Sequence, residues 1–282
     1  MGIFENCLLA SDIDDTLLSS NTVNPVNIEK IEYFMSEGGY FSLATGRSVT
    51  AVSIVLDKLK RVSPCVVANG CMIYDYENNK PLHEEYVPES DYFITKKVLE
   101  NFPKVGIEIH TGNRIFTLNR TEATDKHQIY EKLETTVISF DEVAKYKWNK
   151  SFFAPESEEA RAELNKYISQ FETKSDFFNT IANVNNDIRY YFEQVPRGVS
   201  KASTILKLAD ILGIPKGRIF TIGDYYNDVE MLKMADISAA VADSPDDVKS
   251  CADYITCSCK DGAVADFIDY LAKNSGIFLR KD

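Results

Sequence analysis

Short unbroken apolar runs alternate with amphipathic stretches along the first eighty or so positions. The runs NCLLASD, YFSLAT and PCVVANG lack the every-second-residue alternation of a half-exposed strand, so each reads as a strand buried on both faces. Between the first two, Ile28, Ile31 and Met35 fall on one helical face, with Asn24-Pro25 as a start signal and Gly38-Gly39 as a stop. SVTAVSIVLDKLK follows as a second helix, with Ser48 placed to cap it. Buried strands separated by helices predict a parallel sheet covered on both sides.

The pattern then changes. MIYDYENNKPLHEEYVP, VGIEIHTGNRIFTLNR and NTIANVNNDIRYYFEQV each alternate around a turn signal and predict hairpins. SDYFITKKVLENF, ATDKHQIYEKLE and SEEARAELNKYISQFE predict helices between them. His110 and Arg114 flank the turn TGN, which predicts a solvated hairpin tip, and Trp148 in KYKWNKSFFAP reads as core. From Ser200 the strand–helix alternation returns with SKASTILKLADILG, RIFTIGD, NDVEMLKMA, ISAAVA, DDVKSCA, YITCS and DGAVADFIDYLAK. The predicted fold class is α/β: a Rossmann-like parallel-sheet core from 1–83 and 196–282, interrupted by an inserted α+β domain at 84–195. The connections near 80–86 and 193–199, punctuated by Pro81, Pro196 and Gly198, are the predicted hinges. No internal repeat, low-complexity tract or coiled-coil run is present.

Composition narrows the partners. The 282 residues carry 31 basic and 43 acidic side chains, a net charge of −12, which disfavours a nucleic-acid or anionic-membrane surface. No apolar run approaches the roughly 18 residues of a membrane span, and the N-terminus has no basic, apolar leader. Gly2 is followed by Asn6 where myristoylation needs Ser or Thr. The 6 cysteines (Cys7, Cys65, Cys71, Cys251, Cys257 and Cys259) are irregularly spaced, and none of the 3 histidines lies near Cys257 and Cys259. This reads as buried thiols of a cytoplasmic protein, without a zinc site.

Polar residues cluster where the predicted strands end. Asp12, Asp14 and Thr16 follow the first; Thr45, Gly46 and Arg47 the second; Asn69-Gly70 the third; Asp224, Asn227 and Asp228 follow RIFTI. Lys201 opens the helix after the insertion. In an open parallel sheet, ligands bind beyond the carboxyl ends of the strands, so the fold brings these positions to one rim. Carboxylates this close need a positive partner. Hard oxygen donors without histidine suit Mg²⁺, and a lysine, a hydroxyl and loop amides beside it suit a phosphate.

The motifs DIDDT, LATGR, ANG, GVSKAS and GDYYND, in this order, resemble those of the haloacid dehalogenase-like phosphatase superfamily, specifically its Cof-type sugar-phosphatase branch. The resemblance spans essentially the whole chain and implies that the 84–195 insertion is a cap that sets specificity. It implies a Mg²⁺-dependent phosphatase acting on a small phosphorylated metabolite, a sugar phosphate on this analogy, through an aspartyl-phosphate. Asp12 would be the nucleophile and Asp14 the general acid and base. Ile13, Thr45, Gly46, Arg47, Lys201 and Asn227 would hold the phosphate or substrate. Asp12, Asp14 through its main-chain carbonyl, and Asp224 would hold the metal, supported by Asp228. Two positions depart from the family pattern: Asp15 stands where a glycine is usual, and Tyr225-Tyr226 where smaller residues are frequent. A phosphomutase of the same fold and a phosphate-binding regulator without turnover are the alternative functions. The resemblance fixes neither the substrate nor the oligomeric state.

Overall fold

Cys7 leads into the strand Leu8–Ser11, whose four residues are all buried, as an unbroken apolar run requires. The structure is a computed structural model that describes residues 2–184 and 187–275; for Ile54 and 182–184 it describes the backbone only. The chain falls into two compact units, one of Met1–Gly46, Val52–Leu82 and Ser200–Asp282, the other of Arg47–Ala51 and His83–Val199.

In the first unit, five parallel strands run in the order Tyr254–Ile255, Ile237–Ala240, Ile219–Gly223, Leu8–Ser11, Tyr40–Leu43. Leu8–Ser11 is flanked by its successor on one side and by a strand from the far end of the chain on the other. The strand order therefore reverses beside it, which opens a crevice at the strands' carboxyl ends. The third predicted strand, Cys65–Val67, joins the parallel sheet only through an Ala44–Val66 bridge. Three successive left-handed residues, Ala68, Asn69 and Gly70 (φ 52°, 54° and 99°), reverse the chain at once. Met72–Asp75 then pairs back antiparallel, extended by Lys80–Glu84.

Helix Pro25–Ser36 starts where expected, with the Asn24 side chain accepting from the Val26 N–H at 3.0 Å. Its buried stripe is Asn27, Ile31 and Phe34, not Ile28, Ile31 and Met35. A polar residue wins the core position because Asn27 Oδ1 accepts the Ala265 N–H at 2.9 Å, in the first turn of helix Ala263–Lys273. Ser48 Oγ accepts from the Ala51 N–H at 3.3 Å and caps Val49–Leu56. All six cysteines are free thiols; Cys251 and Cys257 are half-buried rather than buried, because they sit in the loops before and after the edge strand Tyr254–Ile255. No helix among the described residues is long and apolar enough to cross a membrane.

The second unit contains a six-stranded sheet in the order Thr135–Val137, Arg114–Asn119, Gly106–Thr111, Lys150–Ala154, Asp187–Pro196, Ser175–Val184. Its first pair is parallel and the rest antiparallel. Two hairpins match the sequence reading; the turn of the second, at 185–186, lies outside the described residues. Lys150–Ala154, near the middle of the sheet, was not foreseen, nor was Thr135–Val137. One sheet face is apolar: Ile107, Ile109, Phe153 and Phe192 pack with Ile94, Val98, Leu164 and Ile168 from two helices. Trp148 is fully buried there, stacked on Tyr92 at 3.6 Å, and its indole N–H donates to the Val143 carbonyl at 2.8 Å. His110 is not at a solvated tip but buried on the opposite, polar face, because the turn is only Gly112-Asn113 and leaves His110 within the ladder. Arg114 is exposed.

Candidate active site

The first loop is held from both sides. The Asp12 N–H donates to the Ile222 carbonyl at 3.0 Å, which prolongs the parallel ladder one residue and fixes where the Asp12 side chain leaves the sheet. The buried Ile13 turns its carbonyl back to the N–H groups of Leu17 and Leu18 at 3.0 and 2.7 Å. Asp15 sits at φ +55°, the left-handed region, which explains why glycine suits this position and why Asp, which tolerates it better than most residues, can replace it. Asp14 is half-buried between them.

Lys201 is the hub. Helix Lys201–Leu212 begins at this residue, and Ser200 caps it reciprocally with Ser203. The rigid start points the Lys201 side chain inward, where it is 2% exposed. Its Nζ donates to Asp12 Oδ1 and to Asp228 Oδ1, both at 2.7 Å. Asp228 also accepts the Asp224 and Tyr225 N–H groups on Oδ2, at 3.0 and 3.3 Å. With both oxygens engaged, Asp228 aims Lys201 and pins the turn that carries Asp224. Thr16 Oγ1 donates to Asp224 Oδ1 at 3.0 Å, tying the first loop to the fourth.

Asp12, Asp224 and Asp228 each offer an oxygen within 4.8 Å of the others. Burial pushes the Asp12 carboxyl up to about 7; Lys201 pulls it back, while Asp228 and Asp14 add to the rise. Asp224 is raised well above the carboxylate range, by burial and then by Asp12 and Asp228. For Lys201, burial opposes the charge, but Asp12 and Asp228 outweigh it and hold the ammonium protonated. One lysine does not balance three crowded carboxylates, so the cluster is short of positive charge.

The other loops of this unit converge from the same sheet end. Ser11 pairs with Leu43, so Thr45 and Gly46 leave the sheet beside Asp12 and Ile13. Thr45 is buried, its N–H donating to Val66 and its carbonyl accepting the Asn69 N–H, at 3.0 and 2.9 Å. A Cβ on Gly46 would press the Asn69 side-chain amide at 3.1 Å. At Gly70, a Cβ would lie 2.2 Å from the Ser200 carbonyl oxygen, so only glycine lets this turn reach the start of the Lys201 helix. Asn227 is half-buried in the turn Tyr226–Asp228. Tyr225 packs edge-to-face on Tyr226 at 4.8 Å, a packing role, and Tyr226 is exposed. Arg47 groups with the second unit, where its guanidinium lies 5.6 Å from the Tyr130 ring centroid.

Sequence reasoning missed Gly223. A Cβ there would lie 2.6 Å from the Asp228 Cβ, Cγ and Oδ2, so the glycine makes room for the residue that aims Lys201. Its place directly before Asp224 in GDYYND was the available signal.

A family model described as haloacid dehalogenase-like hydrolase matches residues 9–268. The 5-amino-6-(5-phospho-D-ribitylamino)uracil phosphatase YitU of Bacillus subtilis is 26% identical over 280 residues, covering 93% of this chain and 96% of its own length. YcsE of the same organism, with the same named activity, is 25% identical over 250 residues, covering 88% and 89%. Among solved structures, the HAD subclass IIB sugar phosphatase BT4131 has a TM-score of 0.80 at 19% identity, covering 94% of this chain and 99% of its own. TM0651 from Thermotoga maritima has a TM-score of 0.79 at 20% identity, covering 94% and 97%. The family model runs through both units without a break, so the chain, inserted sheet included, belongs to the haloacid dehalogenase-like hydrolases.

Proposed function

We propose that this protein is a Mg²⁺-dependent phosphatase that hydrolyses a small phosphorylated metabolite, a sugar or polyol phosphate, through an aspartyl-phosphate on Asp12. Support for the phosphatase reading comes from relatives named phosphatases along nearly their full length. The observation that carries the site assignment is Lys201 held at 2.7 Å from both Asp12 and Asp228 at the switch point of the sheet. The named relatives act on a phosphate carried by a ribityl chain, which favours a polyhydroxylated substrate.

The residues fit a divalent cation: buried carboxylates short of positive charge, with only oxygen donors in the cluster. Asp12, Asp224 and the main-chain carbonyl of Asp14 would hold it, since both Asp228 oxygens are already engaged. Bound there, the ion would neutralise the carboxylates and draw charge from the phosphoryl oxygens.

The side chains then divide the work. An Asp12 oxygen attacks phosphorus as the bond to the leaving oxygen breaks, and Asp14 gives that oxygen its proton. Lys201, Thr45, Asn227 and the N–H groups of Ile13 and Gly46 hold the phosphoryl oxygens. In the second step Asp14, now a carboxylate, takes a proton from water as its oxygen bonds to phosphorus. The bond to Asp12 breaks and inorganic phosphate leaves. Phosphate release from nitrophenyl phosphate and a sugar-phosphate panel, with wild type and Asp12→Asn, tests the assignment. Turnover by Asp12→Asn near the wild-type rate would refute Asp12 as nucleophile.

A further inference from the structure

The helix that opens at Lys201 buries a hydroxyl among apolar neighbours. Its residues Ala202, Ile205, Leu208 and Ala209 pack into the core of the first unit, and Thr204 beside them is 0% exposed. Packing alone would favour valine there, which has the same shape and no polar atom to strip of water. Within a helix, a threonine hydroxyl can give its one hydrogen to the carbonyl four residues back. Thr204 Oγ1 instead donates out of its helix to the main-chain carbonyl of Gly70, at 2.7 Å.

The acceptor belongs to a turn that needs outside support. Ala68, Asn69 and Gly70 are left-handed in succession, at φ 52°, 54° and 99°. Glycine adopts that region at no steric cost, but Ala68 does not, and it has no polar side chain to compensate. Such a conformation persists only where its surroundings hold it, and strain held in this way clusters at functional sites. Here the turn is held from two sides. The Asn69 N–H donates to the Thr45 carbonyl at 2.9 Å, and the Gly70 carbonyl accepts the Thr204 hydroxyl. Gly70 also lies directly against the Ser200 carbonyl, so the turn is seated on the start of helix Lys201–Leu212.

What the turn connects gives this hydrogen bond a role. Thr45 and Gly46 are the loop assigned above to the phosphoryl oxygens. Asn69 is 4% exposed, and its side-chain amide is pressed against Gly46: both of its polar atoms would lie 3.1 Å from a Cβ there. On the other side, Lys201 and Thr204 are three positions apart, hence neighbours on one face of their helix. From that face Lys201 reaches Asp12 at 2.7 Å and Thr204 reaches the turn. The path from Thr45 through Asn69, Gly70 and Thr204 to Lys201 therefore ties together two groups of phosphoryl ligands that come from distant parts of the chain. All of these residues lie in the first unit. Misplacing such groups by about 1 Å is enough to cost about 100-fold in rate.

We propose that Thr204 is a positioning residue for phosphoryl transfer: its hydroxyl clamps the left-handed turn Ala68–Gly70 to the Lys201 helix and so fixes the spacing between Lys201 and the Thr45–Gly46 loop. This rests on the phosphatase reading above. The test uses the full chain with Mg²⁺ and nitrophenyl phosphate, well below the melting temperature of every variant. Thr204→Val keeps the shape and loses the hydroxyl; Thr204→Ser keeps the hydroxyl and loses a methyl group. We expect kcat to fall about tenfold in Thr204→Val with KM within about threefold, because the spacing is read most closely at the transition state. Affinity for orthovanadate, which mimics that state, should fall by the same factor, while affinity for inorganic phosphate stays within about threefold. Thr204→Ser should restore both kcat and vanadate affinity. Should Thr204→Val fail to fold, Thr204→Ala, with the better helix former, carries the same expectations. A kcat and a vanadate affinity within about twofold of wild type in the folded variant without the hydroxyl would overturn the proposal, and so would an equal loss in Thr204→Ser. Absence of phosphate release by wild type from nitrophenyl phosphate and from every sugar phosphate would instead refute the phosphatase reading itself.

Discussion

Replacing Asp12 by Asn should stabilise the metal-free protein while abolishing turnover. Asp12 is 7% exposed, with Asp228 and Asp224 close by and one lysine shared among them. An acid near pKa 7 in the fold and near 3.8 in the unfolded chain costs the fold about 4 kcal/mol once ionised. The repulsion is shared with Asp224 and Asp228, so we expect about half of this, ~2 kcal/mol, to return on substitution. Lys201 keeps its hydrogen bond to Asp228 at 2.7 Å, and the amide oxygen of Asn can still accept from it. The sign in pH follows from the raised value. Below pH 4 the carboxyl is protonated in both states and carries no penalty. The penalty grows as pH rises from about 4 to about 7 and is full above that. Calorimetry in EDTA should therefore show Asp12→Asn melting about 4–8 °C above wild type at pH 8, and level with it near pH 4. Adding Mg²⁺ should raise wild type more than the variant, since a cation at a hundred times its Kd adds about 2.7 kcal/mol. A variant less stable than wild type at pH 8 in EDTA, or a gap independent of pH, would refute the reasoning.

Three further outcomes are expected. EDTA should reduce phosphate release at least a hundredfold and Mg²⁺ restore it; full activity after exhaustive chelation would sink the metal assignment. Gly223→Ala must displace Asp228 from 2.6 Å, and should cost about 1–3 kcal/mol in urea titration and lower kcat at least tenfold; normal stability and rate would show that Asp228 does not need its place. Asp14→Asn should slow the first step much more for sugar phosphates, whose alkoxide needs a proton, than for nitrophenyl phosphate. With the latter, rapid mixing should show a nitrophenol burst and acid quench a trapped phosphoenzyme; equal slowing of both without a burst would remove Asp14 from proton transfer.

The carboxylate centre was legible in sequence because each part sits at a strand end or helix start. Short apolar runs fix those points, and parallel pairing of Leu8–Ser11 with Ile219–Gly223 then carries Asp12 and Asp224 to one rim. The Lys201–Asp228 bond needed only that Lys201 open a capped helix. The second unit was harder, and for a physical reason. A strand with polar residues at every second position reads as half-solvated, since the pattern reports polarity and not what covers it. GIEIHT and RYYFEQ have that alternation, yet Glu108, His110 and Glu193 are buried. KSFFA lacks clean alternation and hid a strand near the middle of the sheet. Burying charge is costly unless partners are assembled from several elements, and Glu108 draws its partners from a helix about twenty residues on, Lys150 from a strand further still. No local window contains that network. Motifs confined to single loops are readable one at a time, so the centre assigned to phosphoryl transfer appears in the sequence. A face built from alternate residues of many strands does not.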